Sequence, residues 1–347
     1  MNFYTRQHKH YCGIDLPAKA MYVCILDQHG TKLVHKNLPT TPEAFLRIIA
    51  PYREDVVVGV ECLFTWYWLA DLCAKAGIAF VLGHALYLKA LHGGKAKNDK
   101  IAAQKIAVLL RGGMLPQASV YPAAMRATRD LLRRRCHLGQ KRAELLAHIQ
   151  HTTSQYNLPE IGKKLAYKAN REGVEAHFPD PSVRKTIAVE VSLMDHYDKV
   201  LGEVELDITR TAKAHDMQTF SRLQSVPGIG KILALVILYE IQDIARFPRG
   251  QDFVSYGRLV KCAKESGGKR LGTSGTKSGT VHLRWAFAEA AVLFLRQNQL
   301  GKEYFTKLEP KHGKAKALTV LAHKLARAVY SMLTREQAFD LNRFVPA

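Results

Sequence analysis

The run Asp55–Glu61 constrains the fold of this chain more than any other segment, because Val, Val, Val, Gly and Val fill the space between its two acids. A strand with one face in water alternates apolar and polar residues, whereas a strand covered on both faces is apolar throughout. The run therefore predicts a central strand in a sheet with both faces covered, which indicates an α/β fold.

Strand and helix patterns alternate on both sides of this run. Turn signals such as Leu16-Pro17 separate the strand patterns that precede it. The predicted strands are Tyr11–Asp15, Met21–Leu26, Lys32–Leu38, Asp55–Glu61 and Ile78–Leu82, and the predicted helices are Thr41–Tyr52, Phe64–Ala76 and Asp99–Leu110. A three-stranded meander followed by βαβ-like crossovers is the arrangement of the RNase H superfamily. Residues 1–124 are therefore predicted to form a RuvC/RNase H-like domain.

Three acidic residues lie where that topology brings distant segments together. Asp15 ends the first strand and Glu61 the fourth, and these two strands are adjacent and parallel in such a sheet. Asp99 begins a helix whose same face presents Ala102 one turn later. Converging carboxylates of this kind hold two metal ions about 4 Å apart for phosphoryl transfer, and Mg²⁺ suits hard oxygen ligands. Asp15, Glu61 and Asp99 are thus the predicted metal ligands, although each acid alone is as well explained by a turn, a helix start or an N-cap.

The chain is strongly basic, with 51 Lys and Arg against 30 Asp and Glu and a formal net charge of +21. Such an excess favours a polyanionic partner, because each neutralised phosphate releases condensed counterions. The charge is concentrated between Lys89 and Arg111, Arg126 and Arg142, and Lys261 and Arg284. One such run can be a solvated helix face, but three favour nucleic acid over a membrane surface. The predicted contacts in these runs are Lys97, Arg133, Arg134, Arg135, Lys264, Lys269, Arg270, Lys277 and Arg284.

The cysteines and the apolar segments indicate where the chain works. Its six Cys show no CxxC or Cys/His metal spacing, and four lie in apolar segments, as buried free thiols in a reducing compartment would. No apolar run reaches the roughly 18 residues of a membrane span, and the N-terminus lacks the apolar core of a signal peptide. The chain is predicted to be soluble and cytoplasmic.

Beyond Met125 the strand patterns give way to two long charged helices, Met125–Gln155 and Ser182–His215. The second carries an apolar stripe at spacings of three and four, formed by Val183, Ile187, Met194, Tyr197, Leu201, Val204 and Ile208. The stripe predicts a coiled-coil-like helical region over residues 125–218. Packing within one chain and dimerisation both remain open, and the length and basic face favour a dimerising or spacer role.

A third, mostly helical region covers residues 219–347. Its segment Ser225–Lys231 resembles a helix-hairpin-helix turn, in which glycines allow close approach and helix-start N–H groups bind phosphate without reading bases. Gly228, Gly230 and Lys231 are the predicted phosphate contacts, with a plain helix–helix turn as the alternative. The Gly/Ser/Lys-rich segment Lys264–Gly279 is predicted to be a loop, with a phosphate cradle that holds no nucleophile as the alternative to a site of chemistry. If it is a site of chemistry, the sequence alone does not decide between Ser266, Ser274 and Ser278 as the nucleophile.

Together these motifs resemble the DEDD transposases of bacterial insertion sequences. The N-terminal match is Gly13-Ile14-Asp15, the strand-end Glu61 and the helix that begins Lys97-Asn98-Asp99. The C-terminal match is Tyr256–Val260 with Lys264–Lys269. The resemblance extends to the bridge-RNA-guided serine recombinases and the Piv-type DNA invertases. It implies that Ser266 is a nucleophile that forms a 5′-phosphoserine link, that donor and target DNA and a guide RNA are partners, and that the protein is a homodimer or homotetramer.

The chain departs from that family pattern at one position. The family helix reads Asp-x-x-Asp-Ala, and here Ala102 stands where the second Asp belongs. Either an altered natural member carries this alanine, or it was introduced to trap a substrate complex, and the intact surroundings favour the second explanation. In both cases the resemblance implies weakened catalysis. A RuvC-like junction nuclease that uses water, and a non-catalytic nucleic-acid-binding protein, are the alternative functions.

Overall fold

The computed structural model describes residues 2–91, 98–212, 216–274 and 278–344, without the side chains at 212, 262, 264, 270, 274 and 297. Contacts divide the chain into two compact units, Met1–Ala124 and Met125–Ala347. The boundary between them coincides with the predicted end of the RNase H-like domain.

The N-terminal unit is a five-stranded sheet with its helices. Its elements are β1 (His10–Asp15), β2 (Ala20–Asp27), β3 (Lys32–Pro39), α1 (Pro42–Ile49), β4 (Val56–Glu61), α2 (Tyr67–Ala76), β5 (Ala79–Gly83), α3 (Ala85–Leu91) and α4 (Asp99–Arg111). The strand order is β3-β2-β1-β4-β5, with β1 antiparallel to β2 and parallel to β4, and β4 parallel to β5. The four valines of β4 are at most 3% exposed, so the predicted central strand and its pairing with β1 are confirmed.

Helix α4 packs directly on the middle of β1 because Gly13 has no side chain. A Cβ on Gly13 would lie 2.3 Å from the carbonyl oxygen of Ala103 and 2.4 Å from the backbone nitrogen of Ala107. Real Cβ atoms do not approach so closely, and a glycine with a small residue opposite it is what allows this contact. Further along the helix, Ile106 and Leu110 pack with Val57 of β4. The helix is therefore held firmly against the two strands that end in Asp15 and Glu61.

The described residues of the second unit are helical apart from one β-hairpin, short 3-10 turns and loops. Its elements are α5 (Ala123–Gln155), α6 (Pro181–Ala212), α7 (Met217–Gln224), α8 (Lys231–Ile241), α9 (Gly250–Tyr256), β6 (Cys262–Ser266), β7 (Lys269–Ser274), α10 (Val281–Gln297), α11 (Gln299–His312), α12 (Lys314–Thr334) and α13 (Leu341–Phe344). The long central helices α5 and α6 lie where the sequence predicts them.

Helices α5 and α6 form an antiparallel pair within the chain. Ion pairs join Arg135 to Glu205, Arg142 to Asp198 and His148 to Glu190, so partners advance along α5 as they recede along α6. The positions of the apolar stripe at heptad spacing, Ile187, Met194, Leu201 and Ile208, are at most 8% exposed. These positions of the predicted stripe are thus buried inside the unit, and the dimerising role that we favoured for the stripe has no support from them.

The sequence divides residues 125–347 at position 218, whereas the structure joins them in one compact unit. The joining element is α8, which is buried over almost its whole circumference. Leu132 and Cys136 of α5 and Ile208 of α6 belong to the same apolar core as α8, α10 and α12. The division fails because the central helices bury apolar surface against the region that follows them.

The predicted loop Lys264–Gly279 contains a β-hairpin over its first part. Strands β6 and β7 pair in antiparallel fashion, and Ser266 pairs with Lys269. Gly267 and Gly268 form the two-residue connection, with φ of 56° and 72°. Two consecutive positive φ angles are those of a type I′ turn, for which Gly-Gly is a known signal. The loop prediction is therefore wrong for Lys264–Ser274, because this turn signal was not used.

Candidate active site

The carboxyl ends of β1 and β4 bring Asp15 and Glu61 to one edge of the sheet. The parallel register pairs Ile14 with Val60, so the next residues, Asp15 and Glu61, occupy equivalent positions on neighbouring strands. Strands lie about 4.8 Å apart, which places the two Cα atoms within reach of a shared ligand. Both residues are half-buried. The structure thus brings together these two sequence-predicted acids.

Helix α4 points its N-terminal end toward this edge. Its last residue, Arg111, donates to the carbonyl of Gln28, in the turn beside the start of β1, so the helix runs antiparallel to β1. Asp99 lies four residues before Ala103, about 6 Å along the helix axis, and Asp15 lies two residues after Gly13, about 7 Å along the strand. The start of α4 therefore lies at the level of the acidic edge.

The residues at the start of α4 share the face that packs toward β4. Asp99, Ala102, Ile106 and Leu110 follow one another at spacings of three and four, and the last two contact the sheet near β4. Ala102 is half-buried and Asp99 is exposed. The side chain of Asn98 caps the helix by accepting from Ile101 N at 2.8 Å, so Asp99 does not serve as the N-cap. An acid at position 102 would project toward the edge that holds Glu61.

Asp99 does not complete a metal cluster with the two strand-end acids in this arrangement. Within the described ranges, no three His, Cys, Asp or Glu side chains are close enough together to hold a metal ion. Asp99 is exposed and position 102 carries only a methyl group. Helix α4 therefore adds no carboxylate to the pair Asp15 and Glu61 in this arrangement.

Two side chains at this edge were missed by the sequence analysis. His84 directly follows β5, one residue beyond the position that pairs with Glu61. Its Nδ1 is buried and has no hydrogen-bond partner among the described residues, and burial lowers the pKa of the ring. Phe64, three residues after Glu61, is 86% exposed. The sequence signal for His84 was a histidine directly after a strand. The signal for Phe64 was an aromatic residue shortly after a strand-end acid.

The predicted nucleophile lies in the second unit. Ser266 is exposed at the end of β6, immediately before the Gly-Gly turn. Ser278, a competing serine in the same segment, is half-buried and its carbonyl accepts from the guanidinium of Arg258. Ser274 has no described side chain. Exposure at a turn makes Ser266 accessible to a large substrate.

The three consecutive arginines of α5 lie in different surroundings. Arg133 makes a two-pronged contact with Glu240, at 2.7 and 3.0 Å, and Arg135 donates to Glu205 at 2.8 Å. Arg134 is exposed. Helical spacing turns neighbouring residues to different faces, so only Arg134 faces solvent fully. Arg133 and Arg135 hold helices of their own unit together.

The remaining predicted nucleic-acid contacts are distributed as follows. Gly230, Lys231, Lys269 and Arg284 are exposed. Gly228 instead faces α10, where an added Cβ would meet the backbone nitrogen of Phe294 at 2.5 Å, so this glycine serves helix packing. Lys97 and Lys277 lie outside the described residues, and the side chains of Lys264 and Arg270 are not described either.

An RNase H-like sheet with acids at the ends of adjacent parallel strands, and a helix that starts over them, defines a DEDD-type domain. Comparison with known families agrees with this class. A family described as "Transposase", the DEDD domain of IS110, matches residues 12–158, and "Transposase IS116/IS110/IS902 family" matches residues 220–306. The chain belongs to the IS110/IS116 family of transposases, whose activity is DNA transposition.

Named relatives extend the similarity over nearly the full length. The chain is 24% identical to "Transposase for insertion sequence element IS1111A" of Coxiella burnetii, over 94% of this chain and 90% of that protein. It is 22% identical to "Transposase for insertion sequence element IS1328" of Yersinia enterocolitica, over 94% and 98% respectively. Within the described residues, no helix has the length and apolar character needed to cross a bilayer.

Proposed function

We propose that this transposase cuts and rejoins DNA through a covalent serine intermediate, with Ser266 as the nucleophile. The observation that carries the proposal is the in-register placement of Asp15 and Glu61 below the start of α4. The exposed position of Ser266 at a hairpin turn supports it further. In the proposed reaction the acidic edge supplies metal-assisted activation and Ser266 supplies the nucleophile.

The proposed chemistry conserves phosphodiester bonds. Ser266 Oγ attacks a DNA phosphorus, the new O–P bond forms, the bond to the 3′ oxygen breaks, and the serine proton ends on that 3′ oxygen. A 3′-hydroxyl from the partner strand then attacks the phosphorus of the phosphoserine, the bond from Ser266 Oγ to phosphorus breaks, and the hydroxyl proton ends on Ser266 Oγ, so that no water is consumed. A serine hydroxyl is a weak nucleophile without a proton acceptor, and Asp15 and Glu61 are the acceptors that we propose.

The acidic edge fits a hard divalent cation such as Mg²⁺. Mg²⁺ is often bound by only one or two carboxylates together with substrate phosphates, so the pair Asp15 and Glu61 is a sufficient protein contribution. Asp99 would add a third oxygen donor after a side-chain movement. The bound cation would neutralise charge on the phosphate under attack. Because Ala102 offers no oxygen, we propose that this chain binds the cation weakly and reacts slowly.

We further propose an element-encoded RNA that selects donor and target DNA, and a homodimer or homotetramer as the working assembly. Exchange between two DNA sites requires several active sites at once, which a single chain does not supply. The exposed basic residues Arg134, Lys231, Lys269 and Arg284 are proposed nucleic-acid contacts, together with Lys97 and Lys277. Sequencing of the nucleic acid that co-purifies with the chain tests the guide, and a discrete non-coding RNA is the expected result.

Covalent capture tests the serine mechanism. The Ala102→Asp form is incubated with Mg²⁺, the co-purified RNA and end-labelled duplexes tiled across the ends of the encoding DNA element. We expect label that stays with protein in denaturing gels and is released by protease. Ser266→Ala in the same background should abolish this adduct, whereas the matched control Ser278→Ala should retain it.

The two alternative functions give different results. Cleavage with free 5′-phosphate ends and no adduct would identify a junction nuclease that uses water. Binding without cleavage by the Ala102→Asp form would identify a non-catalytic nucleic-acid-binding protein. An adduct that persists in Ser266→Ala would move the nucleophile to another residue.

A further inference from the structure

The last part of the second unit forms an open-sided cavity of about 700 Å³ that lies largely beyond the segments matched by the transposase family. Helix α12 forms one wall, Tyr304 of α11 another, and the chain that returns after α12 forms a third. The cavity has the size of typical small-molecule sites, which run from about 300 to 1,000 Å³. It is therefore large enough for more than a single small ion.

The returning segment is anchored in the unit by specific contacts. The backbone N–H of Phe339 donates to Ser225 Oγ at 2.9 Å, which ties the segment to the end of α7. Phe344 is 5% exposed and stacks edge-on against Phe294 of α10, with ring centroids 5.3 Å apart. The cavity thus has a fixed wall, because the returning segment is held by core contacts at both ends.

The polar lining carries a large positive charge. Among the described residues that line the cavity, Lys324, Arg327, Arg335 and Arg343 stand against one acid, Asp340. Asp340 is paired with Arg343 at 3.4 Å on the exposed side. The side chains of Arg327 and Arg335 are exposed. Two guanidinium groups are therefore available for an anionic ligand, and a guanidinium matches phosphate geometry with two parallel hydrogen bonds.

Aromatic rings lie beside these cations. Lys324 Nζ is 4.0 Å from the ring centroid of Tyr304 and 5.1 Å from that of Phe344, which are cation–π distances. Phe339 lines the same space and is half-buried. Burial lowers the pKa of Lys324, and burial with the nearby charge of Arg327 lowers the pKa of His323. The cavity therefore combines exposed guanidinium groups and one partly desolvated cation, Lys324, with aromatic ring surface.

We propose that this cavity binds one unpaired nucleotide of a DNA or RNA strand, with its phosphate on Arg327 and Arg335 and its base against Phe339. A stacked base pair keeps its faces covered, whereas an unpaired base can place a face on an aromatic side chain. An Asp or Glu side chain of a peptide would use the guanidinium groups but carries no ring of its own for the aromatic wall, whereas a nucleotide has its phosphate and its base in one unit. The inference rests on the proposed function only in taking a nucleic acid as the ligand.

Fluorescence anisotropy with the full chain tests the site. The probes are one labelled 12-nucleotide sequence as single-stranded DNA, as single-stranded RNA and as a DNA duplex, each at several salt concentrations. The double variant Arg327→Gln/Arg335→Gln should weaken single-strand binding at least tenfold and reduce the salt slope by about 0.7, the contribution of the one phosphate that both arginines hold. Duplex affinity should change much less. The DNA and RNA arms show which strand supplies the nucleotide.

A second variant separates stacking from charge. Phe339→Leu should weaken single-strand binding roughly tenfold without a change in salt slope, because stacking on an aromatic ring is worth about 1–3 kcal/mol per base. The matched control Lys185→Gln/Lys199→Gln removes two charges from exposed positions of α6 and should leave the single-strand preference intact. Circular dichroism verifies that every variant is folded.

Three outcomes would overturn the assignment. Equal losses of single-strand affinity in the cavity and control variants would show a diffuse charge effect. Equal losses of duplex and single-strand affinity in the cavity variants would show a surface that binds the phosphate backbone of either form. Competition by an acidic peptide, but not by a nucleoside monophosphate, would identify a peptide site. In each of these cases the wild-type chain still binds nucleic acid, whereas a wild-type chain that binds none of the probes would contradict the proposed function itself.

Discussion

Replacement of Glu240 by Gln perturbs a buried ion cluster of the second unit. Glu240 is 2% exposed and accepts from Arg133 at 2.7 and 3.0 Å, from Arg129 at 3.2 Å and from the hydroxyl of Thr280 at 2.9 Å. Thr280 is the N-cap of α10, the helix that follows the hairpin of Ser266. One carboxylate thus joins α5, α8 and the start of α10.

The pKa of Glu240 sets the size of the expected loss of stability. Burial raises it, but the hydrogen bonds and charges of Arg133 and Arg129 outweigh burial and lower it from 4.5 to about 2. A difference of that size corresponds to about 3 kcal/mol. Because the folded-state pKa is the lower one, this stability is fully present above pH 4.5 and is lost as the pH falls toward 2. Glu240→Gln also leaves two guanidinium groups, 13% and 35% exposed, without their carboxylate. We therefore expect a cost of about 3–5 kcal/mol at pH 7.

Urea unfolding followed by circular dichroism, at pH 7 and in steps down to pH 2, measures this prediction. The matched control is Glu205→Gln, which removes the partner of Arg135 on the same helix α5 but at 34% exposure. A pair that is so exposed should cost about 1 kcal/mol or less. The reasoning is refuted if Glu240→Gln lowers the free energy of unfolding no more than the control does. It is also refuted if the difference in unfolding free energy between Glu240→Gln and the wild type stays the same between pH 5 and pH 2.

Three further predictions follow from close packing. Gly13→Ala should push α4 off β1, at a cost of about 1–3 kcal/mol, and thermal unfolding of the N-terminal unit should detect it; an unchanged midpoint would contradict the contact with Ala103. Gly228→Ala should destabilise the second unit by a similar amount, because φ is +87° there and an added Cβ would meet Phe294 N at 2.5 Å. A urea titration that finds no loss of unfolding free energy would contradict the packing role of Gly228. Burial raises the pKa of Cys73 to about 12, so mapping of iodoacetamide adducts at pH 8 should find Cys73 protected and Cys62 modified, and equal labelling of the two would disprove that burial.

Much of the N-terminal unit could be predicted because local patterns specify it. The apolar run of β4 requires cover on both faces, and strand adjacency then follows from the few topologies open to such an order. Asp15, Glu61 and Asp99 were identified because each stands at the end or the start of an element. The transposase family, too, was evident from motifs that are contiguous in sequence.

Only the tertiary structure decided which partners distant residues have. The pairing of Arg133 with Glu240 spans 107 positions, and nothing local distinguishes that arginine from Arg134 beside it. The stripe of α6 was visible in the sequence, but its burial against α5 depends on the return of the chain. The cavity beside α12 likewise requires the last segment to fold back onto Phe294. Periodicity determines which face of an element is apolar, whereas the surface that covers this face is set by long-range packing, which no short stretch of sequence encodes.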